Sequence, residues 1–179
     1  MKKTCASATR STSTAERVAS AVKARFVLLA ACAVALGAPS GAAARNLSSA
    51  DPYDARVIAA HRCNQAADKG DYAERLLAQC RTVYEATVNF ERSVQQPTRA
   101  QRNTLAIAKG LSMMTLAGGY AKIDGKMTAR ACQAMATLDQ ALAGYDPATP
   151  TGIEMLYTML AKTRDVAVPK CRAGGHWRG

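Results

Sequence analysis

Six cysteines are the residues whose type and spacing bear most directly on chemistry. Cys5 and Cys32 lie in an N-terminal segment that we predict is removed. The remaining ones are Cys63, Cys80, Cys132 and Cys171. An even number of cysteines in an exported chain is typical of disulfides, and four cysteines allow three pairings. Zinc ligation is the alternative, but the chain lacks the C-x-x-C spacing of a zinc knuckle. We therefore predict two disulfide bonds.

The spacing around Gly70 favours one of the three pairings. Cys63 precedes Gly70 by about 10 Å of helix, and Cys80 follows it by about 15 Å. In an antiparallel helical hairpin this difference is less than one turn, so the two Cα atoms can approach within bonding range. We predict a Cys63–Cys80 bond, and the Cys132–Cys171 bond then follows by elimination.

Other reactive side chains are few, and no motif for a catalytic triad, P-loop, zinc protease or haem site occurs. His61 is predicted to be a surface residue of a helix, and His176 to lie in a tail. The carboxylates Asp68, Asp71 and Glu74 could form an acidic site, but their positions favour helix capping. We predict no catalytic residue.

Methionines offer the only other set of candidate ligands. Thioether sulfurs can coordinate copper(I), but helical spacing favours packing of these side chains in the core. The set comprises Met113, Met114, Met127, Met135, Met155 and Met159. We therefore predict no metal and no cofactor.

The first 44 residues have the form of a secretory signal. Residues 1–25 are basic, residues 26–38 carry no charge, and an A-x-A site ends at Ala44. We predict removal of residues 1–44 and a periplasmic or secreted protein that begins at Arg45. The alternatives are a lipid anchor on Cys32, a mitochondrial presequence, and a membrane anchor. Thirteen apolar residues span about 20 Å, however, which is less than a bilayer core of roughly 30 Å.

Loss of that segment lowers the formal net charge from +11 to +6, with 18 basic and 12 acidic residues remaining. The remaining charges are scattered, without the basic runs and interleaved aromatics of nucleic-acid surfaces. We predict no nucleic-acid partner and no stable membrane insertion after cleavage. Arg92, Arg99 and Arg102 flank Pro97 and could face an acidic partner, although a solvated surface is the default.

Five helical patterns fill residues 45–171, which we predict form one all-α domain of stacked antiparallel hairpins or a small bundle. Asp51, Asp71, Thr98 and Thr151 are predicted N-caps. The third pattern is apolar around most of its circumference, so we expect that helix to be the most buried. We expect Gly118-Gly119 to end or loosen it, Val168-Pro169 to leave the fifth helix, and residues 172–179 to form a flexible tail.

Parts of this chain resemble tetratricopeptide-like helical repeats. Residues 69–73 (KGDYA) are similar to the turn between the two helices of that repeat. Residues 119–125 and 141–147 are similar to its ending. The helix starts lie about 50 residues apart, whereas the family repeats every 34 or so, and the signature Trp is missing. The resemblance implies stacked hairpins with a concave face that binds peptides or proteins.

Together these features predict an exported, non-enzymatic helical protein that binds a protein or peptide. The alternative is a periplasmic immunity or inhibitor protein that acts on a toxin or hydrolase.

Overall fold

A computed structural model describes residues 45–177, which form five α-helices and no strand. The all-α prediction is confirmed. The helices are α1 Pro52–Lys69, α2 Glu74–Ser93, α3 Arg99–Ile123, α4 Ala129–Ala143 and α5 Glu154–Ala173. The predicted signal segment, residues 1–44 with Cys32, lies outside the described residues. No helix within residues 45–177 combines the length and the apolar character needed to cross a bilayer.

The long helix α3 lies at the centre and contacts all four other helices. Among the remaining helices, α1 contacts α2 and α4 contacts α5, but the two pairs do not contact each other through their backbones. The molecule is therefore two helix pairs, the α1/α2 pair and the α4/α5 pair, that share α3. Most side chains of α3 are buried, including Leu105, Ile107 and Leu111, which confirms the prediction that this helix is the most buried.

Two predicted helix starts are confirmed by their caps. The Asp51 carboxylate accepts hydrogen bonds from the backbone N–H groups of Tyr53 (2.8 Å) and Asp54 (3.0 Å). Thr98 and Gln101 form a reciprocal capping box at the start of α3, with contacts of 2.8 and 3.2 Å. Both signals act within one turn of helix, so the sequence is sufficient to identify them.

The predicted cap at Asp71 is wrong. Asp71 and Tyr72 adopt left-handed backbone conformations (φ 53° and 58°), and α2 begins only at Glu74, after Ala73. Gly70 has φ −92°, so a positive φ is not what requires glycine there. A Cβ at Gly70 would instead collide with the Leu76 side chain.

The expectation that Gly118-Gly119 ends or loosens the third helix is also wrong, since α3 continues to Ile123. Gly119 lies against α2, where a Cβ would come 2.5 Å from a Leu77 methyl carbon. A Cβ at Gly118 would meet nothing within 4 Å. Gly119 therefore permits a close approach of two helices.

The fifth helix differs from its predicted course at both ends. It begins at Glu154 with Ile153 at the N-cap position, so the predicted cap at Thr151 is wrong. The Glu154 carboxylate instead accepts bonds from the backbone N–H groups of Thr151 (2.5 Å) and Gly152 (2.8 Å). At the other end, the helix continues through Pro169 to Ala173, so the expectation that the chain leaves the helix there is wrong. Proline removes one backbone hydrogen bond from the helix. The last turn persists because the disulfide bond between Cys171 and α4 holds it in place.

Beyond α5, Trp177 is partly buried and packs against the core, with the Arg172 guanidinium 5.6 Å from its ring centroid. The flexibility of residues 172–179 stays a prediction.

Candidate functional site

The cysteines pair as predicted. Cys63 of α1 bonds Cys80 of α2, and Cys132 of α4 bonds Cys171 of α5, with Cα separations of 5.5 and 5.6 Å. Each disulfide lies within one helix pair and is buried or nearly so. Both thus serve as structural cross-links, and neither bond is placed at a surface where it could exchange readily.

Two of the three acidic residues of the hinge form ion pairs. Asp71 lies 2.5 Å from the Lys122 ammonium, and Glu74 lies 2.6 Å from a nitrogen of Arg130. Asp68 accepts a hydrogen bond from the Tyr72 hydroxyl at 3.2 Å. Arg130 also lies 2.5 Å from Asp124. Hydrogen bonds from Arg130 and Thr128 lower the pKa of Asp124 to about 2, and the contact with Lys122 lowers the pKa of Asp71. The hinge acids are thus engaged with neighbouring side chains, and no pair of free carboxylates forms there.

The histidines occupy the exposed positions that the sequence predicts for them. His61 is exposed on α1, and its Nε2 lies at hydrogen-bond distance (3.1 Å) from the Gln65 amide nitrogen. His176 is exposed beyond α5, and its backbone N–H donates to the Cys171 carbonyl at 2.9 Å. Within residues 45–177, no group of three or more histidine, cysteine or carboxylate side chains converges on a possible metal position.

The six methionines divide into two groups, and the core prediction is right for only one of them. Met113 and Met135 are buried, and Met114 and Met127 pack against the core at its edge. Met155 and Met159 lie on the surface of α5, 77% and 39% exposed. Sequence reasoning missed this because one spacing of apolar residues fits either face of a helix.

The exposed face of α5 is the most unusual surface of the described structure. Met155, Met159 and Val166 (56% exposed) lie on it, whereas among residues 45–177 only Ile123 is an exposed large apolar residue elsewhere. The opposite face of the same helix carries Leu160, which is fully buried. Helix α5 is therefore apolar on two sides, and α3 and α4 cover only one of them.

An open cleft of about 270 Å³ lies where residue 45 meets the start of α1. Arg45 lies 2.5 Å from the buried carboxylate of Asp54, and its backbone N–H donates to the Gly152 carbonyl at 3.0 Å. The Ser48 N–H also donates to Asp54, at 3.1 Å. The polar groups of this cleft are thus occupied by one another, and the cleft closes the fold instead of offering a ligand site.

The basic set beside Pro97 does not form a common site. Arg99 lies 3.8 Å from Asp146, while Arg102 donates to the Pro97 carbonyl at 2.7 Å. Arg92 is exposed on α2, where it lines an open, shallow groove together with Tyr84 and Val88. These three arginines therefore remain solvated surface residues, as the default interpretation predicts.

Comparison of the chain with family models, with curated proteins and with solved structures gives no match. The resemblance to tetratricopeptide-like repeats stays a prediction. The exposed face of α5 is the candidate site that the geometry of the described residues supports best.

Proposed function

We propose that this chain is an exported, non-enzymatic helical protein that binds another protein or a peptide through the exposed face of α5. The observation that carries the proposal is the exposure of Met155, Met159 and Val166 on one side of one helix. Groups of exposed apolar side chains are a mark of binding surfaces, whereas single ones are ordinary.

The chemistry of the face fits this role. Methionine side chains are flexible and polarisable, so they adapt to partners of different shape. Leu160 and Cys171 already attach α5 to the rest of the fold, and Met155 contributes almost nothing to the core because it is 77% exposed. A second apolar face on α5 lowers solubility without stabilising the monomer. A partner that covers this face explains why it is there.

Export is supported by the two disulfides. Such bonds form and persist in oxidising compartments, and they are rare where glutathione and thioredoxin keep thiols reduced. They also suit a small domain whose core is built largely from alanine and leucine.

The experiment is site-specific photo-cross-linking of the chain in its producing cells. A benzophenone amino acid would replace Met155 in one variant and Ile123 in a matched control. Ile123 is also exposed (42%) and apolar, but it lies at the end of α3. We expect a discrete protein adduct from position 155 and none, or only a diffuse background, from position 123.

Equal labelling from both positions, or no adduct from position 155, would contradict the proposal. The stoichiometry of the adduct separates the two predicted classes of protein. One partner recovered in equal amount favours an inhibitor or immunity protein, whereas several different peptides favour a scaffold.

A further inference from the structure

Half of the exposed residues of α5 form one row with a regular alternation of spacings. Met155, Met159, Lys162, Val166 and Pro169 are separated by four, three, four and three residues, and all five are exposed. We call these five residues the α5 seam. This alternation is the heptad spacing, which keeps one narrow row of side chains facing a single partner helix. At a rise of 1.5 Å per residue, the seam is about 21 Å long, or four turns of a partner helix.

The width of the seam distinguishes a helix from a lipid surface. Helices that lie on membranes present a broad apolar face, commonly with Trp, Phe or Leu. The seam is one residue wide and has a lysine at its centre, so it fits the groove of one helix better than a bilayer surface.

The charge at the centre of the seam is not neutralised within the described residues. Lys162 forms no ion pair there, and neither does Lys170, which adjoins the seam. The carboxylates of α5 are engaged elsewhere. Asp165 pairs with Arg164 at 2.8 Å, and the Glu154 carboxylate accepts the backbone bonds at the start of the helix.

A second copy of the chain fits the seam poorly. A parallel pairing in register sets Lys162 against Lys162, and an antiparallel pairing that sets Met159 against Val166 brings the two Lys162 side chains within one residue of each other. Burying two ammonium groups face to face costs more than the apolar contacts of so short a seam return. The partner helix must instead carry the opposite charge at this point.

We infer that the α5 seam binds an amphipathic helix of another protein, which presents apolar side chains to Met155, Met159 and Val166 and a carboxylate to Lys162. This inference rests on the proposed function and adds the secondary structure and charge of the partner. An Asp or Glu that pairs with Lys162 would fix the register of the two helices, as polar residues do within coiled coils.

The test adds charge variants to the photo-cross-linking experiment at position 155. Lys162→Glu reverses the charge within the seam, Lys162→Arg keeps it, and Lys126→Glu makes the same reversal at an exposed site outside the seam. Both positions are exposed, so circular dichroism should show an unchanged fold for all three variants. We expect Lys162→Glu to lower the adduct yield by about tenfold or more, while the other two variants stay within about twofold of the parent.

Mass spectrometry of the adduct then locates the partner segment. We expect a segment with apolar residues at heptad spacing and an Asp or Glu among them. An adduct whose yield does not change with Lys162→Glu would overturn the inference, while the proposed function would stand. An adduct to phospholipid, or one of twice the mass of the chain, would also overturn it, and absence of any adduct would overturn both.

Discussion

The α1/α2 pair and the α4/α5 pair have the same parts, two helices and one disulfide against α3, yet they are held in different ways. Residues 70–73 connect α1 and α2 and are fixed by their own backbone bonds, such as Tyr72 N–H to the Ala67 carbonyl at 2.7 Å. Residues 144–153 connect α4 and α5. They have local bonds as well, such as Thr149 N–H to the Asp146 carbonyl at 3.1 Å, but they are also held from outside by the buried side chain of Asn103 on α3.

Under the proposed function, this difference means that the two pairs divide the work of the molecule between stability and binding. The α1/α2 pair is held by local backbone bonds and by surface ion pairs with Lys122 and Arg130, and it uses its apolar side chains to cover α3. In the α4/α5 pair, Leu160 and Cys171 are the buried residues of α5, its other core contacts are only partly buried, and half of its residues are exposed. Few buried contacts mean lower local stability, which is common in elements that bind partners.

The largest effect is expected from removal of the disulfides. The double variant Cys132→Ala/Cys171→Ala should lose about 4 kcal/mol, and Cys63→Ala/Cys80→Ala about 3 kcal/mol, because the first bond closes the longer loop. Urea unfolding measures both values. Hydrogen exchange should show that the second half of α5 loses protection when Cys132 and Cys171 are replaced. The helices α1 and α2 should stay protected when Cys63 and Cys80 are replaced. Equal protection in the two variants would contradict the division of work.

The next effect concerns side-chain hydrogen bonds that connect α3 to each pair. Asn103 donates to the Asp146 and Thr149 carbonyls (2.8 and 2.9 Å) and accepts from the Asp146 N–H (2.9 Å). Asn103→Ala should cost about 3 kcal/mol, because it strands these backbone groups. Asn64→Ala on α1 is the control. It should cost about 1 kcal/mol or less, since the Thr115 hydroxyl that Asn64 accepts also has the Leu111 carbonyl as an acceptor. A reversed order of the two midpoints in urea would refute this ranking.

Substitutions at two adjacent glycines of α3 should change the stability by smaller amounts, and in opposite directions. Gly119→Ala should destabilise by about 1–2 kcal/mol, since its Cβ would press on Leu77 of α2. Gly118→Ala should stabilise by up to about 1 kcal/mol, because that position is open and alanine favours helix. Thermal unfolding of the two variants tests the pair. If both were stabilising, the close approach of α2 and α3 would not depend on glycine.

The smallest effect is that of pH. The pKa of Asp124 lies at about 2 in the fold, below its ordinary 3.8, because of Arg130 and Thr128. A lowered pKa means that the ionised group stabilises the fold above pH 3.8, and this contribution disappears as the pH falls towards 2. Asp124→Asn should therefore flatten stability against pH between about 4 and 2. Asp139→Asn, whose carboxylate lies 3.7 Å from Arg164, is the control and should change the acid profile less.

Local chemistry was the part of the fold that could be predicted. Asp51-Pro52 and the Thr98 capping box depend on residues within one turn of helix, and the Cys63–Cys80 pairing depends on the 17-residue separation within one hairpin. Asp71, Gly118-Gly119 and Pro169 were misjudged because distant partners decide them. Lys122 and Arg130 recruit the acids of the hinge, Leu77 packs on Gly119, and Cys132 holds the turn after Pro169.

The candidate site could not be predicted for a related reason. Met155 and Met159 have the same helical spacing as the methionines in the core, and periodicity alone does not tell which of two apolar sides is covered. That choice depends on where α3 and α4 lie beside α5. The structure places Leu160 on the covered side of α5 and Met155 on its open side, and these positions identify the seam.

The two disulfides follow one another along residues 45–177 without crossing, Cys63 with Cys80 and then Cys132 with Cys171. If the chain is exported as proposed, N-terminus first and without residues 1–44, Cys63 and Cys80 would enter the oxidising compartment as a nearby pair before Cys132 arrives. Each cysteine would then meet its native partner as the next unpaired thiol. Oxidation in order of arrival would give the native pattern, so maturation would need an oxidant but no isomerase to exchange wrongly paired bonds.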